Sequence, residues 1–531
     1  MDSIINKIKN AEIGSIVPIV ETLSYSLEPV DFFAKMTDYG RKKNSILLES
    51  ADIIAKYGEK SLGSAEPCLM LHGKDEAFEI IALNSLGKKF IEFLKGDFDF
   101  CDKVEYKKDK IVGKLKPKRN LVSEEERLKL PNHMDIIRTV AFKFKSREKP
   151  FIPYAGLFGS ISYDFIDQFE DLPKNKEDII KDEDYTLYFL DNLFLIDHKQ
   201  SKTYFVSNAL IMDNNKDNIY GQCISKIRQY KDAINKKTIK TANKKTKINF
   251  ESDTSMEEFI EKVKKIKEHI KAGDIYQGVI SRTISSNFNK EPLDIYKKLR
   301  KLNPSPYMFY INDRDGILLG ASPEMSLKVE GIEGDEKKTV EIRPIAGTKP
   351  RGLINGRIDA DLDSRYEAQL KIDAKEVSEH TMLVDLARND IAKISEPGTR
   401  YVDEPFVVEK YSHVQHLVST VKGILKKDID ALHAYTATMN MGTLTGAPKV
   451  EAMKLIRLYE RTKRGFYGGS VGYIAPGGDL DSAITIRSLR IKNNKAYMRS
   501  GAGLVYDSDP ESEYLETEKK AAACMKALED D

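Results

Sequence analysis

The chain has 531 residues, with 85 lysines and arginines against 83 aspartates and glutamates, and a formal net charge of +2. This balance gives no overall electrostatic reason to bind nucleic acid or an anionic membrane. A hydrophobic content of 41% with 32% charged residues is typical of a folded globular protein and excludes a disordered chain.

The cysteines and the N-terminus narrow the class of protein further. The four cysteines are far apart in sequence, which excludes a zinc ribbon or a redox pair, and we expect reduced thiols in a cytoplasmic protein. The N-terminus lacks the pattern of a signal peptide, and no apolar run approaches the roughly 20 residues that span a membrane. The cysteines are Cys68, Cys101, Cys223 and Cys524.

The first part of the chain is predicted to be rich in strands. Short apolar runs at 187–190, 192–196 and 203–206 have the length and composition of buried strands. The segment 235–247 follows, with six lysines and no acid. Because such a segment cannot bury itself, we interpret it as an exposed linker.

The linker divides the chain into two predicted regions, 1–245 and 246–531. The second region starts with a well-marked helix, since Ser255 and Glu258 fit a capping box and apolar residues recur at helical spacing. Gly273 provides the signal that ends this helix.

Strands and helices alternate in the remainder of the second region. The pattern predicts a strand over 275–284, strands within 465–505, and helices over 364–392 and 511–529. No common nucleotide-binding, serine-hydrolase or zinc-protease motif accompanies them. Any chemistry must therefore come from other side chains.

Two pairs of glutamates lie three residues apart on the two later helices. This spacing places both carboxylates of a pair on one face of a helix. Such pairs are usually solvated, but a few carboxylate oxygens completed by water and substrate also suit Mg²⁺. The pairs are Glu376 with Glu379 and Glu513 with Glu516, and Lys520 follows Glu516 by four residues.

A second pattern is suited to binding an anion. Gly501 and Gly503 offer backbone N–H groups that no side chain covers, and Arg487 carries a guanidinium that can grip a carboxylate with two hydrogen bonds. Tyr467 is nearby in sequence. The alternative interpretation is a tight turn beside a surface arginine.

Several ordered blocks in this region resemble the chorismate-utilising enzymes. The resemblance runs from about residue 255 to the C-terminus, more than half of the chain. It implies an α+β fold with a large antiparallel β-sheet core flanked by helices. The blocks are RPIAGTKPRG (343–352), SEHTMLVDLARND (378–390), MNMGTLTGAPK (439–449), YGGSVGY (467–473) and SGAG (500–503).

Two positions separate members of this family by the group that attacks C2 of chorismate. Aminodeoxychorismate synthases carry a nucleophilic lysine where this chain has Ala346. Isochorismate and salicylate synthases carry a water-activating lysine where it has Gln277. Neither side chain can act in these ways, so the resemblance implies ammonia as the nucleophile. This favours the anthranilate synthase large-subunit group, with aminodeoxychorismate synthase or a non-catalytic tryptophan-sensing protein as alternatives.

The same resemblance implies a site for chorismate, a dianion that needs local cations. Mg²⁺ would be bound by Glu379 and Glu516, with Glu376 and Glu513 supporting it from farther out. The residues expected to contact the substrate are Gly347, Thr348, Tyr467, Arg487, Gly501, Ala502, Gly503 and Lys520.

Three further residues would carry the chemistry. Ammonia adds at C2 while the C4 hydroxyl leaves, and that poor leaving group has to be protonated. Glu324 is the expected acid, which requires a pKa raised by burial. His416 is expected to act in the elimination of pyruvate, and Thr443 to lie near the ring. The product would be anthranilate.

Ammonia and regulation would depend on other molecules. None of the cysteines lies in the glycine-rich elbow of a glutamine amidotransferase, so the resemblance implies a separate amidotransferase subunit in a two-plus-two heterotetramer. We expect no nucleic-acid or membrane partner. The amino-terminal region would be regulatory and bind tryptophan as a feedback inhibitor, through LLES at 47–50 and NPSPYM at 303–308. The expected tryptophan-binding residues are Glu49, Ser50, Pro306, Tyr307 and Met308.

Overall fold

Two large β-sheets, each with 13 strands in the described part of the chain, form the centre of the structure. Neighbouring strands are antiparallel, except that Ser15–Leu23 and Lys145–Ser146 of the first sheet are parallel to each other. The predicted α+β class with an antiparallel core is confirmed. The computed structural model describes residues 2–50, 60–116, 131–146, 154–240, 248–332, 335–354, 356–411 and 414–529.

The first sheet places strands from both ends of the chain side by side. In spatial order its strands are β13 (Phe250–Ser252), β14 (Gln277–Asn287), β28 (Lys495–Leu504), β27 (Ser488–Lys492), β16 (Ile317–Ser322), β15 (Tyr307–Asn312), β2 (Ser45–Glu49), β3 (Lys60–Ser64), β11 (Asn192–Asp197), β12 (Lys202–Leu210), β1 (Ser15–Leu23) and β8 (Lys145–Ser146), with β24 (Gly446–Ala447) on β14.

The second sheet is built in the same mixed way. Its strands are β19 (Ile345–Pro350), β23 (Val414–Ile424), β18 (Lys338–Ile342), β17 (Met325–Gly331), β26 (Leu480–Ile484), β25 (Ser470–Ile474), β9 (Gly156–Ile161), β10 (Tyr185–Leu190), β4 (Leu69–Lys74), β5 (Ala77–Ala82), β7 (Lys110–Lys114) and β6 (Lys103–Tyr106), with β22 (Tyr401–Lys410) on β23. A separate hairpin joins β20 (Leu353–Ile354) and β21 (Arg357–Ile358).

Helices cover the sheets, and none in the described residues is long and apolar enough to cross a membrane. They are α1 (Asp2–Asn10), α2 (Pro29–Met36), α3 (Ser85–Phe93), α4 (His133–Ala141), α5 (Ile219–Ile234), α6 (Met256–Ala272), α7 (Pro292–Leu302), α8 (Ala360–Ile372), α9 (Ala374–Ile394), α10 (Ala431–Thr438), α11 (Gly442–Thr445), α12 (Lys449–Tyr459) and α13 (Pro510–Leu528).

The two regions of the chain share both sheets. In the first sheet β2 pairs with β15, so that Glu49 lies opposite Met308. In the second sheet β9 pairs with β25, and Ile161 lies opposite Ser470. The division at residue 245 stays a prediction about order along the chain, because strands from both sides of it are hydrogen-bonded to one another.

The core lies between the facing sheets. One cluster of buried apolar side chains includes Phe309 and Leu193 from the first sheet together with Phe158 and Leu187 from the second. A second cluster covers the other face of the first sheet with helices α2, α5, α7 and α13. Helix α9 packs against β19 and β23 of the second sheet. Helix α13 therefore covers the first sheet, and helix α9 covers the second.

Most predicted elements of the chain are found. The runs at 187–190, 192–196 and 203–206 form parts of β10, β11 and β12. Helix α6 has the capping box, with the Ser255 hydroxyl accepting from the Glu258 N–H, and it ends at Gly273 in the left-handed conformation. Helix α13 and strands β25 to β28 confirm the expectations for the C-terminal part.

Two expectations need correction or completion. The single helix predicted over 364–392 is wrong, because Asp373 ends α8 and caps α9 by accepting hydrogen bonds from the N–H groups of Lys375 and Glu376. In the lysine-rich segment, residues 236–240 form no regular structure, and 241–247 lie outside the described residues.

Candidate active site

Lys520 occupies the centre of the predicted substrate site. Its Nζ atom lies 2.6 Å from Oε1 of Glu516 and donates to the carbonyl oxygen of Gly501 over 3.1 Å. Burial favours the neutral amine, but the Glu516 carboxylate more than offsets this and raises the pKa of Lys520. The side chain therefore stays a cation at neutral pH and cannot attack the substrate as an amine.

Strand β28 presents two backbone N–H groups beside Lys520. Its pairing with β27 ends at Met498, which leaves that edge without a strand partner from Arg499 to Leu504 in the described residues. Because the N–H and C=O of one residue point to the same side of an antiparallel strand, the carbonyl of Gly501 that faces Lys520 places its N–H on the open edge. Gly503 has the same orientation, and Ala502 faces Ile280 on β14. Ala502 thus separates two open amides instead of supplying a third.

The glutamates of α9 and α13 form an acidic group. Burial, together with the like charges of Glu376 and Glu516, raises the pKa of Glu379 to about 7. Oε2 of Glu513 is buried without a hydrogen-bond partner among the described residues. A bound cation would relieve the repulsion between these carboxylates and satisfy the unpartnered oxygen.

This donor set fits a hard divalent cation. Within the described residues no three histidine, cysteine or acidic side chains converge closely enough to enclose a metal ion. Mg²⁺ does not need such a cage, since it is commonly held by one or two carboxylates and completes its shell with water and substrate. The arrangement therefore matches Mg²⁺ better than a metal that requires an all-protein cage.

Gly347 is required where β19 approaches α9. It has a φ of +68°, and a side chain there would lie 2.9 Å from Oε2 of Glu376. The left-handed conformation favours glycine, and a Cβ atom there would force the Glu376 carboxylate to move. The glycine therefore lets this strand lie directly against the acidic group.

Glu324 is a buried carboxyl with the properties of an acid. Burial raises its pKa to about 8, while Thr443, Lys520 and Arg487 favour the ionised form and offset only part of this rise. Oε1 of Glu324 and Oγ1 of Thr443 are buried and have no hydrogen-bond partner among the described residues. At neutral pH the carboxyl is mostly protonated and can donate a proton to a bound molecule.

His416 is a neutral imidazole of defined tautomer. Burial, assisted by the charge of Arg487, lowers its pKa to about 4. Its Nδ1 atom lies 2.8 Å from the carbonyl oxygen of Gly347 and 3.1 Å from Oγ1 of Thr348. A carbonyl oxygen only accepts, so the proton is on Nδ1 and the lone pair is on Nε2. The ring is thus prepared to accept a proton.

Arg487 and Tyr467 complete the cluster. Arg487 has a φ of +49° and donates from Nη1 to Oδ1 of Asn303 over 3.3 Å. The Tyr467 hydroxyl lies 2.9 Å from the position of a Cβ atom on Gly501, so it lies over β28 at this glycine. A cationic guanidinium and a phenol are suited to bind a carboxylate.

The two positions that carry lysines in related enzymes are buried here. Ala346 lies on β19 opposite Leu417. Gln277 begins β14, and its Nε2 atom lies 3.1 Å from where a Cβ atom of Gly503 would be. The Gln277 side chain therefore lies over Gly503 with an amide, which is neither a nucleophile nor a base.

The residues predicted to bind tryptophan lie together at a different place in the structure. Glu49, Ser50, Pro306, Tyr307 and Met308 all line one cavity of about 600 Å³. Strands β2 and β15 contribute one wall, and β17, β25 and β26 contribute the opposite wall. The cavity is large enough for a small organic molecule and lies between the two sheets.

We call this cavity the effector cavity, after the ligand expected from the sequence. Hydrogen bonds and ion pairs hold the polar groups around it in fixed positions. The Tyr296 hydroxyl donates to Oε2 of Glu49 over 2.6 Å, and Nε of Arg300 lies 3.2 Å from Oε1 of Glu49. Burial raises the pKa of Glu49 to about 7 against the effect of Arg300. Across the cavity, the Tyr307 hydroxyl on β15 donates to Oδ1 of Asp481 on β26 over 3.1 Å.

Comparison with known proteins decides the family. The profile of the chorismate binding enzymes matches residues 101–526. The chain belongs to this family. It is 39% identical over 493 residues to anthranilate synthase component 1 of Buchnera aphidicola subsp. Diuraphis noxia, which covers 92% of this chain and 93% of the relative. It is 38% identical to the protein of that name from Haemophilus influenzae, over 95% of this chain and 97% of the relative.

Solved structures agree with this membership of the chorismate binding enzymes. Anthranilate synthase component I from Streptococcus pneumoniae superposes with a TM-score of 0.69 at 28% identity, over 88% of this chain and 92% of that chain. The menaquinone-specific isochorismate synthase from Escherichia coli gives a TM-score of 0.63 at 15% identity, over 99% of both chains, and shows the shared fold. The predicted resemblance is therefore confirmed.

Some residues around the site were not anticipated from the sequence. Asn303 accepts from Arg487, and Arg464 contacts the ring of Tyr467, with the guanidinium carbon 5.7 Å from its centroid. Glu460 and Arg464 stand four residues apart, a spacing that normally indicates a surface ion pair. Only the long-range contacts reveal that this pair is buried beside the site.

Proposed function

We propose that this chain is the large subunit of an anthranilate synthase and converts chorismate and ammonia to anthranilate, pyruvate and water. The observation that carries this proposal is the chemical character of the cluster. It contains a protonated acid at Glu324, a neutral base at His416 and a cation at Lys520, and its positions 346 and 277 hold no amine. A nitrogen nucleophile must then enter from outside. The similarity to proteins named anthranilate synthase component 1 supports this assignment.

The first half of the proposed reaction is an amination. The nitrogen lone pair of ammonia forms a bond to C2, the C1=C2 and C5=C6 double bonds shift to C1=C6 and C4=C5, and the C4–O bond breaks. The proton of Glu324 goes to the departing oxygen, which leaves as water. Ammonia loses one proton in forming the neutral amine, and that proton restores the carboxyl. The Thr443 hydroxyl, which lies near Glu324, would orient the departing group.

The second half forms the aromatic ring. Nε2 of His416 takes the proton from C2, the electrons of that C–H bond enter the ring, and the bond to the enolpyruvyl oxygen breaks. The released enolpyruvate gains a proton on its methylene carbon and becomes pyruvate. Because the Gly347 carbonyl fixes the proton on Nδ1, the lone pair on Nε2 is available before the step begins.

Substrate binding would depend on local charge. Glu379 and Glu516 would hold Mg²⁺, with Glu376 and Glu513 around it, and the ion would supply positive charge to the ring carboxylate. Lys520 lies beside this position. The enolpyruvyl carboxylate would meet Arg487, Tyr467 and the open N–H groups of the two glycines of β28, and Gly347 and Thr348 would line the ring. The mutual repulsion of the glutamates supports the metal assignment.

Regulation and partners complete the proposal. The effector cavity would bind tryptophan, since it brings together all five residues expected for this ligand and is closed by polar groups that can hold an amino acid. A glutamine amidotransferase chain would deliver ammonia, in a heterotetramer of two plus two chains within the cytoplasm. The word component in the names of the relatives is in keeping with a partner chain.

A product assay tests the proposed function. The purified chain should form fluorescent anthranilate and pyruvate in equal amounts from chorismate, Mg²⁺ and ammonium, and should not use glutamine. Aminodeoxychorismate, which keeps its enolpyruvyl group, would instead identify the first alternative. Binding of tryptophan without any conversion of chorismate would favour the non-catalytic alternative.

A further inference from the structure

A buried ion cluster next to the active site is not used by the proposed mechanism. It consists of Glu460, Arg464 and Arg499, which are 2%, 2% and 4% exposed, together with Ser281. We call it the Arg464 cluster. Charged side chains are rarely buried to this extent unless their partners are well matched, so their contacts show what the cluster holds in place.

Glu460 is the acceptor at the centre of the Arg464 cluster. Its oxygens accept from the N–H and hydroxyl of Ser281 over 2.7 and 2.8 Å, and from Nη2 of Arg499 over 2.7 Å. Arg464 adds two bonds, from Nε and Nη2, over 2.9 and 2.6 Å. Burial opposes ionisation, but the two arginines outweigh it and lower the pKa of Glu460 to about 2. The carboxylate is therefore a fixed anion.

Arg464 uses its remaining donors on the walls of the active site. Nη1 donates to the carbonyl oxygen of Leu444 over 2.6 Å, and Nη2 donates to that of Val279 over 2.9 Å. Leu444 directly follows Thr443 in α11. Val279 lies opposite Gly503, whose N–H is on the open edge of β28. One guanidinium thus joins the turn that carries Thr443 to the strand pair that carries the glycine amides.

The faces of the same guanidinium contact two tyrosines. Its central carbon lies 4.6 Å from the ring centroid of Tyr163 and 5.7 Å from that of Tyr467. The Tyr467 N–H also donates to the backbone carbonyl of Arg464 over 3.2 Å. Cation–π contacts in a desolvated setting favour one orientation of each ring. Arg464 therefore also sets the position of Tyr467.

We propose that Arg464 is a positioning residue, which acts through Thr443, Tyr467 and β28 to hold the acid and the carboxylate-binding groups in register. This inference rests on the proposed function. A lysine cannot replace the arginine, because an ammonium has no planar fork and cannot reach two carbonyls, a carboxylate and two rings at once. The same contacts explain why the arginine is buried at a point where no substrate atom needs it.

A displaced α11 would have a recognisable chemical effect. Thr443, Lys520 and Arg487 are the groups that favour ionisation of Glu324. When the carbonyl of Leu444 loses its donor, Thr443 can move away from the carboxyl while the two cations stay in place. The carboxyl then keeps its proton to higher pH, and the alkaline limb of the kcat/KM profile, which reports ionisation of the free enzyme, moves to higher pH.

The test compares two conservative variants of buried arginines. In Arg464→Lys we expect kcat to fall about 10²-fold, because a shift of about 1 Å in catalytic groups has effects of this size. We also expect its alkaline limb to move to higher pH. The matched control is Arg490→Lys, since Arg490 is also a buried arginine paired with carboxylates, 2.9 Å from Asp182 and 2.6 Å from Asp313. That variant should lose stability but keep kcat and the alkaline limb of the wild type.

Hydrogen–deuterium exchange separates this inference from the proposed function, because it needs no substrate. Residues 442–447 should exchange faster in Arg464→Lys than in the wild type, and at the wild-type rate in Arg490→Lys. Glu460→Gln keeps the shape of the side chain but weakens its hold on Arg464, and it should shift exchange and the alkaline limb in the same direction even if Arg464→Lys does not fold.

The outcomes are distinct. A wild-type chain that makes no anthranilate, together with faster exchange in the Arg464 or Glu460 variant, would overturn the proposed function and keep the positioning role. A wild-type chain that makes anthranilate, with kcat, alkaline limb and exchange unchanged in both variants, would overturn the positioning role. Equal losses of kcat in Arg464→Lys and Arg490→Lys, with no change in either limb or exchange, would reduce Arg464 to a purely structural role.

Discussion

The carbonyl oxygen of Gly347 lies 2.8 Å from Nδ1 of His416 and determines which nitrogen of the imidazole carries the proton. The same glycine has a φ of +68° and lies close to Glu376, whose carboxylate would have to move for a side chain at this position. One residue of β19 therefore orients the proposed base and also brings the strand against the acidic group. This relationship makes a direct prediction for the second half of the reaction.

The variant His416→Gln should stop the reaction after amination. A glutamine amide can still donate a hydrogen bond but has no basic lone pair, so we expect anthranilate formation to fall about 10³-fold. Chorismate should continue to disappear, and a non-aromatic amine that keeps its enolpyruvyl group should accumulate. Chromatography of the products measures both. The distant variant His433→Gln should behave as the wild type, and loss of both half-reactions in His416→Gln would contradict the assigned role.

The variant Glu324→Gln should lose amination and gain stability at alkaline pH. Without the acid we expect kcat to fall about 10²- to 10³-fold. Burial raises the pKa of this carboxyl from 4.5 to about 8 in the folded chain, so the protonated form favours folding and ionisation opposes it. The contribution of the Glu324 proton to the stability of the wild type is complete below pH 4.5 and is lost as pH rises through about 8.

Thermal unfolding measures this second effect. The Tm of Glu324→Gln should exceed that of the wild type at pH 9 and approach it at pH 5, since the glutamine never ionises. The exposed Glu268→Gln should show no such difference between the two pH values. A Glu324→Gln variant that is less stable than the wild type at pH 9 would argue against a buried, protonated carboxyl.

The pH profile of the wild type should be limited by the same two side chains. His416, with its pKa lowered to about 4 by burial, is a base only above that pH. Glu324, with its pKa raised to about 8, is an acid only below that pH. We therefore expect kcat/KM to rise through pH 4 and to fall through pH 8. The measurement requires a constant concentration of free NH₃, because ammonium itself loses its proton as pH rises.

The sequence blocks predict the residues of the site better than they predict the buried residues that hold the site in position. Residues such as Glu379, Thr443 and Tyr467 stand in long ordered blocks, so their roles can be inferred without coordinates. Glu460 and Arg464 look like a surface pair on a helix, since nothing local shows that Val279 and Leu444 pack over them. Their burial depends on strands far apart in the chain, which the spacing of residues cannot reveal.

The fold shows the same division between local and distant information. Apolar runs and caps predict most elements, because those signals act within a few residues. The break at Asp373 is local as well, but the strong helical pattern on both sides of it conceals the cap. The sharing of both sheets by the two regions depends on pairs such as Glu49 with Met308, which are set by tertiary packing.

Removal of Mg²⁺ should stop the reaction reversibly. In Glu516→Gln we expect the concentration of Mg²⁺ needed for half activity to rise by about 10-fold or more, since a neutral amide is a weaker ligand for a hard cation. Titration of Mg²⁺ into chelated enzyme measures this shift. Glu511→Gln is the matched control, because Glu511 is exposed on the same helix. Equal Mg²⁺ requirements in both variants would contradict the metal assignment.

Ser50→Phe should relieve inhibition by tryptophan and spare catalysis. Ser50 lines the effector cavity of about 600 Å³, and a phenylalanine ring would fill the space that a ligand needs. We expect the inhibition constant to rise by about 10-fold or more, which corresponds to a loss of about 1.4 kcal/mol or more of binding free energy. The kcat/KM for chorismate should change little, since the active-site cluster shares none of the residues that line this cavity. Ser24→Phe, at an exposed serine after β1, is the control and should keep the wild-type inhibition curve. If Ser50→Phe keeps that curve as well, tryptophan binds elsewhere or not at all, and the cavity needs another ligand.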